Sequence, residues 1–152
     1  MKAFDMVDWD FVIFTLKRFN FPSNMISWIQ ASITTPRFSI NLNGELVGFF
    51  PSKRGIRQGD PLSPYLFFLI MEVFTHILKA EIATLDSFKY HWRCKRQKLV
   101  QLCFADDLFL FCHGSLPSVV VLKKALDTFQ SLSGLSANAI KSEIFISRIP
   151  ET

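Results

Sequence analysis

Little in this chain is available for cross-linking. It holds three cysteines, Cys94, Cys103 and Cys112. An odd number, with no C-x-x-C pair, excludes a disulfide framework and a ribbon-type zinc site. No disulfide partner is therefore expected, and a reducing compartment suits the chain. Long apolar runs are also missing. The most apolar stretch, Tyr65 to Leu78, is shorter than a bilayer needs and carries Glu72 and His76. It reads as a buried helix, and no membrane partner is expected. Met1-Lys2-Ala3-Phe4-Asp5 lacks the apolar core of a secretion signal. Together these absences point to an intracellular protein, nuclear or cytoplasmic. There is no internal repeat, no low-complexity tract and no linker. Charge of one sign is scarce too: the formal net charge is +4, which permits a polyanion partner without requiring one.

What is present is a substantial core. The 152 residues are 49% hydrophobic, with seventeen Phe, enough for one domain. Asp8 is placed to cap a helix from about Trp9 to Phe19, in which Phe11, Phe14 and Arg18 follow helical spacing and Val12, Leu16 and Phe19 supply much of the apolar face. A second helix, roughly Ser23 to Ser32, sets Met25, Trp28 and Ile29 on one face. Phe38 to Leu42 alternates like a half-buried strand, Asn43-Gly44 is a strong hairpin signal, and Glu45 to Phe50 is the return strand. Ser63 and Pro64 open a helix to about Ala83, apolar nearly all round at its start. A further helix runs from Ser115 and Pro117 to about Leu132, with Val119, Leu122, Leu126 and Phe129 as its stripe and Gly134 as its stop. Ile144 to Ser147 reads as a last strand. The sum is an α+β pattern, an antiparallel sheet backed by helices.

Leu102 to Phe111 is the stretch richest in chemistry. Two apolar, strand-like runs flank Asp106 and Asp107, which fall at the turn of a hairpin. Adjacent strand side chains point opposite ways, but at a turn both can face one pocket. Two carboxylates there repel unless a cation lies between them, and hard divalent ions favour oxygen ligands. The plain alternative is that Asp is simply a good turn residue. Cys103 and Cys112 flank this turn as small core residues.

Lys53 to Ser63 is the second such stretch. Gly55 and Gly59 permit close backbone approach, Arg54 and Arg57 suit phosphates, and Gln58 can bond a base or sugar. In Ser87 to Lys98, the basic residues Lys89, Arg93, Lys95, Arg96 and Lys98 interleave with Phe88, Tyr90 and Trp92. A strand of that pattern offers phosphates an exposed face, or else it is an edge whose charges deter pairing. Asn138 and Lys141, after Gly134-Leu135, are individually ordinary turn and surface residues.

In combination these pieces are specific. The chain resembles the reverse transcriptases of non-LTR (LINE-type) retrotransposons, especially those of plant genomes. Lys2-Ala3-Phe4-Asp5 with Val7 and Trp9 matches the end of the family's first palm motif. Phe21-Pro22 and Trp28-Ile29 match the helices after that motif, and Asn43-Gly44-Glu45 matches the intervening hairpin. Gly55-Ile56-Arg57-Gln58-Gly59-Asp60-Pro61-Leu62-Ser63-Pro64 is the second motif and Phe104-Ala105-Asp106-Asp107 the third. Ser133-Gly134-Leu135 with Asn138, Lys141 and Ser142 is the fourth.

The resemblance implies a palm-like sheet and RNA-directed DNA synthesis. Its partners would be an RNA template, a DNA primer and deoxynucleoside triphosphates, and its cofactor Mg²⁺ or Mn²⁺. Asp106 and Asp107 would be the catalytic metal ligands, Asp106 the principal one. Phe4 would lie under the incoming sugar, and Arg57, Gln58 and Gly59 would line the nucleotide pocket. Lys141 would approach the triphosphate as electrostatic support or proton donor. Arg54 and the basic segment would hold nucleic acid.

One departure stands out. The family's other metal-binding Asp lies five residues before the residue matching Phe4, a place ahead of Met1. Asp5 is six residues beyond it, up to about 20 Å along extended chain, and is no ready substitute. The expectation is a partial domain over residues 1–152, without the family's fingers and thumb, weak or inactive alone. The alternatives are a catalytically silent palm that binds RNA or DNA, and a remnant that does not fold.

Overall fold

The computed structural model describes residues 3–105 and 107–146. It confirms a mixed α+β fold of four α-helices and two small antiparallel sheets. A short 3₁₀ turn, Ala3–Met6, leads into α1 (Trp9–Arg18) and α2 (Ser23–Thr34). A hairpin of β1 (Arg37–Leu42) and β2 (Glu45–Pro51) comes next, then the long α3 (Ser63–Thr84). A second hairpin, β3 (Gln101–Phe104) and β4 (Asp107–Leu110), precedes α4 (Leu116–Ser133). The expected single sheet is instead two separate two-stranded ribbons.

The core is helical. Phe74 and Ile70 of α3 are fully buried, with Leu66 and Leu78 on the same face. Phe129 of α4 meets Phe74 with ring centroids 5.0 Å apart and Phe11 of α1 edge-on at 6.0 Å. Lys124 of α4 pairs with Glu81 of α3 at 2.7 Å. Asp8 caps α1 as expected, accepting from the amides of Asp10 at 2.8 Å and Phe11 at 3.2 Å. Gly134 ends α4 at φ 75°, the left-handed conformation that lets a helix stop.

Several expectations need correction. Ser63 does not cap α3; its hydroxyl donates to Arg57 O at 2.6 Å, and the Asp60 carboxylate takes the Leu62 amide at 2.8 Å. α3 is not buried all round, since Tyr65 and Phe68 are largely exposed. On α2 the buried stripe is Ile26, Ile29 and Ile33, while Met25 and Trp28 face solvent. On α4 it is Ser118, Val121, Leu122, Ala125 and Phe129, with Val119 exposed. Ile29, Leu122 and Phe129 are buried as expected and Leu126 is half-buried, whereas Met25, Trp28 and Val119 give way to their neighbours, because adjacent apolar side chains leave the exact phase to tertiary packing.

The first hairpin is not half-buried: every residue of β1 and β2 is exposed. Its turn is the expected one, with Asn43 at φ 52° and Gly44 at φ 91°, the signs of a type I′ turn. A bulge between Phe38 and Ile40, opposite Gly48 at φ 74°, twists it further. Residues 85–100 form turns rather than a strand, and 142–146 are irregular, so neither expected strand is present there. Ser147 lies outside the described residues. Cys103 is exposed and Cys112 half-buried, and all three cysteines are free thiols. Partial burial pushes the Cys112 thiol up from its ordinary pKa. Among the described residues no helix is long and apolar enough to cross a membrane.

Candidate functional site

The site is assembled around residues 4–9. Phe4 is half-buried and stacks on Phe67 of α3, with centroids 4.8 Å apart and rings 16° from parallel. Its carbonyl accepts from Ile56 N at 2.8 Å, and Val7 O accepts from Gly55 N at 2.7 Å. The Trp9 indole N–H returns the contact, donating to Gly55 O at 2.7 Å. Gln58 Nε2 donates to Asp5 Oδ1 at 2.8 Å. The loop before α3 is thus laced to the 3₁₀ turn through backbone and side chain alike.

Gly55 is required by this fit. It sits at φ 91°, and a Cβ there would lie 2.9 Å from Asp5 O. The end of α4 fits the other side of the same segment: Asp8 N donates to Ser133 O at 2.9 Å, and a Cβ on Gly134 would lie 2.9 Å from Met6 O. Two loops far apart in sequence therefore close on one short turn. Gly59, at φ 84°, has open space around its α-carbon, and Arg54, Arg57 and Gln58 are exposed on the same loop.

The second hairpin is the acidic element. Phe104 pairs with Asp107, so Asp107 is the first residue of β4 and does not lie in the turn where the sequence put it. Asp106 itself lies outside the described residues. Ala105 adopts φ 52°, a left-handed conformation costing a non-glycine residue about 1–2 kcal/mol. Such strain is held only where surrounding structure imposes it, and it is common beside functional groups. The hairpin is rooted in the core by Leu108 and Leu110 and by a Gln101–Thr75 side-chain hydrogen bond to α3. Its tip is solvent-facing, with Phe104, Ala105 and Asp107 all exposed.

Lys141 stands apart, exposed in a turn that Asn138 organises. The Asn138 carbonyl accepts from Lys141 N at 3.0 Å and its side chain from Ile140 N at 3.1 Å. Neither Lys141 nor Asp107 forms an ion pair among the described residues. Lys89, Arg93, Lys95, Arg96 and Lys98 are exposed on the turns that lead into β3, the hairpin end remote from Asp107. The structure thus joins residues 4 and 5 to residues 56 and 58 directly, through Ile56 N to Phe4 O and Gln58 Nε2 to Asp5 Oδ1. The Trp9 bond to Gly55 and the close approach of Gly134 to Met6 are the contacts the sequence hid. The Trp9 indole has a polar handle that a buried tryptophan must satisfy, which is the one signal available beforehand.

The model of the family described as reverse transcriptase (RNA-dependent DNA polymerase) matches residues 1–149. The chain belongs to that family. This reverse transcriptase domain is 34% identical, over 140 residues, to a retrovirus-related Pol polyprotein from a type-2 retrotransposable element of Drosophila melanogaster. That alignment takes in 92% of the chain and 12% of the polyprotein. It is 28% identical over 142 residues to a Pol polyprotein from a type-1 retrotransposable element of Popillia japonica, covering 93% of the chain and 19% of that protein. An uncharacterized mitochondrial protein of Arabidopsis thaliana is 50% identical over 68 residues, 43% of the chain and 54% of that protein. The domain is of the non-LTR retrotransposon kind, and it spans between about a tenth and a fifth of the two polyproteins' length.

Proposed function

We propose that this domain carries the palm-type nucleotidyl-transfer centre of an RNA-directed DNA polymerase, working on an RNA template, a DNA primer and deoxynucleoside triphosphates. The observation that carries the reading is the junction of residues 4–9 with residues 55–58. It joins the two segments that match the family's first and second motifs, through Gln58–Asp5 at 2.8 Å and Ile56–Phe4 at 2.8 Å. Phe4, its ring fixed against Phe67, would underlie the incoming sugar and exclude a 2′-hydroxyl. Arg57, Gln58 and Gly59 would line the nucleotide pocket. Open space at Gly59 leaves its backbone accessible to a ligand.

The donor chemistry at the hairpin tip fits Mg²⁺ or Mn²⁺. Asp106 and Asp107 offer adjacent carboxylate oxygens, the ligands hard divalent ions prefer. Bound there, the ions would help ionise a primer 3′-hydroxyl and neutralise charge on the leaving pyrophosphate. Lys141 supplies positive charge, or a proton, to that leaving group. Arg54, Lys89, Arg93, Lys95, Arg96 and Lys98 meet the nucleic-acid backbone. A setting inside the cell, nuclear or cytoplasmic, suits such substrates.

Primer extension on an RNA template tests the reading. The 152 residues by themselves are expected to extend weakly or not at all, because only two carboxylates of the implied set are among them. Fusing a segment that restores an Asp five residues before Phe4 should raise extension by orders of magnitude. Asp106→Ala should abolish it. Mn²⁺ binding followed by electron paramagnetic resonance gives a readout without turnover, and should weaken in both Asp106→Ala and Asp107→Ala. Extension or Mn²⁺ binding indifferent to Asp106 would overturn the assignment.

A further inference from the structure

The net charge of this chain is confined to one segment. Residues 86–99 hold five Lys and Arg against a single Asp, while the remainder holds twelve basic and twelve acidic residues. The segment alone accounts for the formal +4. Lys89, Arg93, Lys95, Arg96 and Lys98 are all exposed, and none forms an ion pair among the described residues. Such a concentration produces a local positive field that a distributed +4 would not.

The segment is also shaped. It is a chain of turns closed by Cys94 N to His91 O at 2.9 Å, Lys98 N to Lys95 O at 3.2 Å and Leu99 N to Cys94 O at 3.1 Å. Lys98 takes φ 50° to close the last of them. Phe88 is buried as its anchor, with Tyr90 edge-on to it at 5.1 Å. Lys89 is bonded on both sides of its peptide: its amide donates to the fully buried Ser118 Oγ at 2.9 Å, and its carbonyl accepts from His113 N at 2.9 Å. Because it is not a strand, charges that guard a sheet edge do not explain its composition.

At its centre Trp92 is 50% exposed, and the Arg93 guanidinium lies over its ring at 4.6 Å. An exposed indole among unpaired cations offers a π face and phosphate contacts together. This is the combination by which proteins hold single-stranded nucleic acid. A duplex hides its base faces, so the stacking component discriminates for single strands. The segment enters β3 at Gln101, three residues along the strand from Phe104, which pairs with Asp107. At about 3.3 Å per residue, that puts it roughly 10 Å or more from the acidic tip.

We infer that residues 86–99 form a second nucleic-acid contact, a single-strand platform in which Trp92 stacks on a base while Arg93, Lys95, Arg96 and Lys98 hold the flanking phosphates. The inference rests on the proposed function's reading that these cations meet a nucleic-acid backbone, and adds the form bound, a single strand, and the base-stacking part of Trp92. An acidic protein surface is the competing partner, but it makes no use of an exposed indole under a guanidinium.

The test uses the full chain and fluorescence anisotropy with a labelled single-stranded RNA oligonucleotide, a duplex of the same sequence, and heparin as a polyanion without bases. Trp92→Ala should weaken single-strand binding at least fivefold and leave heparin binding unchanged. Replacing Lys95, Arg96 and Lys98 by Gln should lower the log–log salt slope by about 2. Matched substitutions Lys17→Gln, Lys79→Gln and Lys123→Gln should not. Circular dichroism melts verify that each variant is folded. Equal affinity of wild type and Trp92→Ala for single strands would overturn the inference, as would a lack of single-strand binding at low salt or equal preference for duplex. Asp106→Asn should leave platform binding intact, so failure of the polymerase reading and failure of this one are told apart.

Discussion

At the scale of single residues, the three left-handed glycines near the site differ in what surrounds them, and the difference is measurable. Gly55 and Gly134 each face a backbone carbonyl that an added Cβ would approach to 2.9 Å, whereas Gly59 faces nothing within 4 Å. Gly59→Ala therefore incurs only the conformational cost, about 1–2 kcal/mol. Gly55→Ala and Gly134→Ala incur it together with displacement of residues 5–6, and each should lose more stability than Gly59→Ala in urea melts, by at least about 1 kcal/mol. Equal losses in all three would mean that the close approach to the 3₁₀ turn contributes nothing. None of this could be read from the sequence. Gly55 and Gly59 are alike there as loop residues and Gly134 is a helix stop, with no sign of which of them another segment will touch.

At the scale of elements, α3 is the member on which the others depend. Phe74 of α3 is fully buried against Phe129 of α4, whereas Phe68, less than two turns earlier, is 68% exposed. Phe74→Ala should cost about 3–5 kcal/mol and Phe68→Ala less than about 1 kcal/mol, compared by thermal or urea unfolding. The helices were legible almost to the residue: Asp8 as a cap, Gly134 as a stop and Asn43-Gly44 as a turn are local signals read by local chemistry. Legibility fell where neighbours decide. Met25 and Trp28 against Ile26 and Ile33 is a choice of phase among contiguous apolar residues, settled by which side α1 occupies. Lys89 to Lys98 alternates like a strand, yet no partner strand pairs with it, and the chain folds back on itself instead. The second hairpin and the loop before α3 were legible because their residue types are rare in combination, although Asp107 opens β4 instead of lying in the turn. Their junction with residues 4–9 was not, since it is made mostly of backbone atoms.

At the scale of the whole molecule, much apolar surface is left uncovered. Phe38, Ile40, Leu42, Val47 and Phe50 are all between 42% and 59% exposed on the first hairpin, and Ile140, Ile144, Phe145 and Ile146 are between 83% and 97% exposed near the described end. A lone two-stranded ribbon is marginal in water, and an apolar patch of this kind promotes association. The 152 residues studied alone should therefore self-associate with rising concentration, seen by size exclusion with light scattering. Substituting Ile40→Thr with Val47→Thr keeps strand propensity, removes apolar area, and should shift the population toward monomer. A wild-type chain that stays monomeric at high micromolar concentration would contradict this.

The lacing of residues 4–9 to both Gly55 and Ser133–Gly134 also governs where this domain tolerates changes in length. A residue inserted between Ile56 and Gln58, or between Ser133 and Leu135, would throw one set of backbone bonds out of step and release the first turn. The tip at Asn43-Gly44 carries no such obligation and can grow or shrink freely. Lineages of this domain should therefore differ in size at that ribbon, while the spacing around the clasp stays fixed.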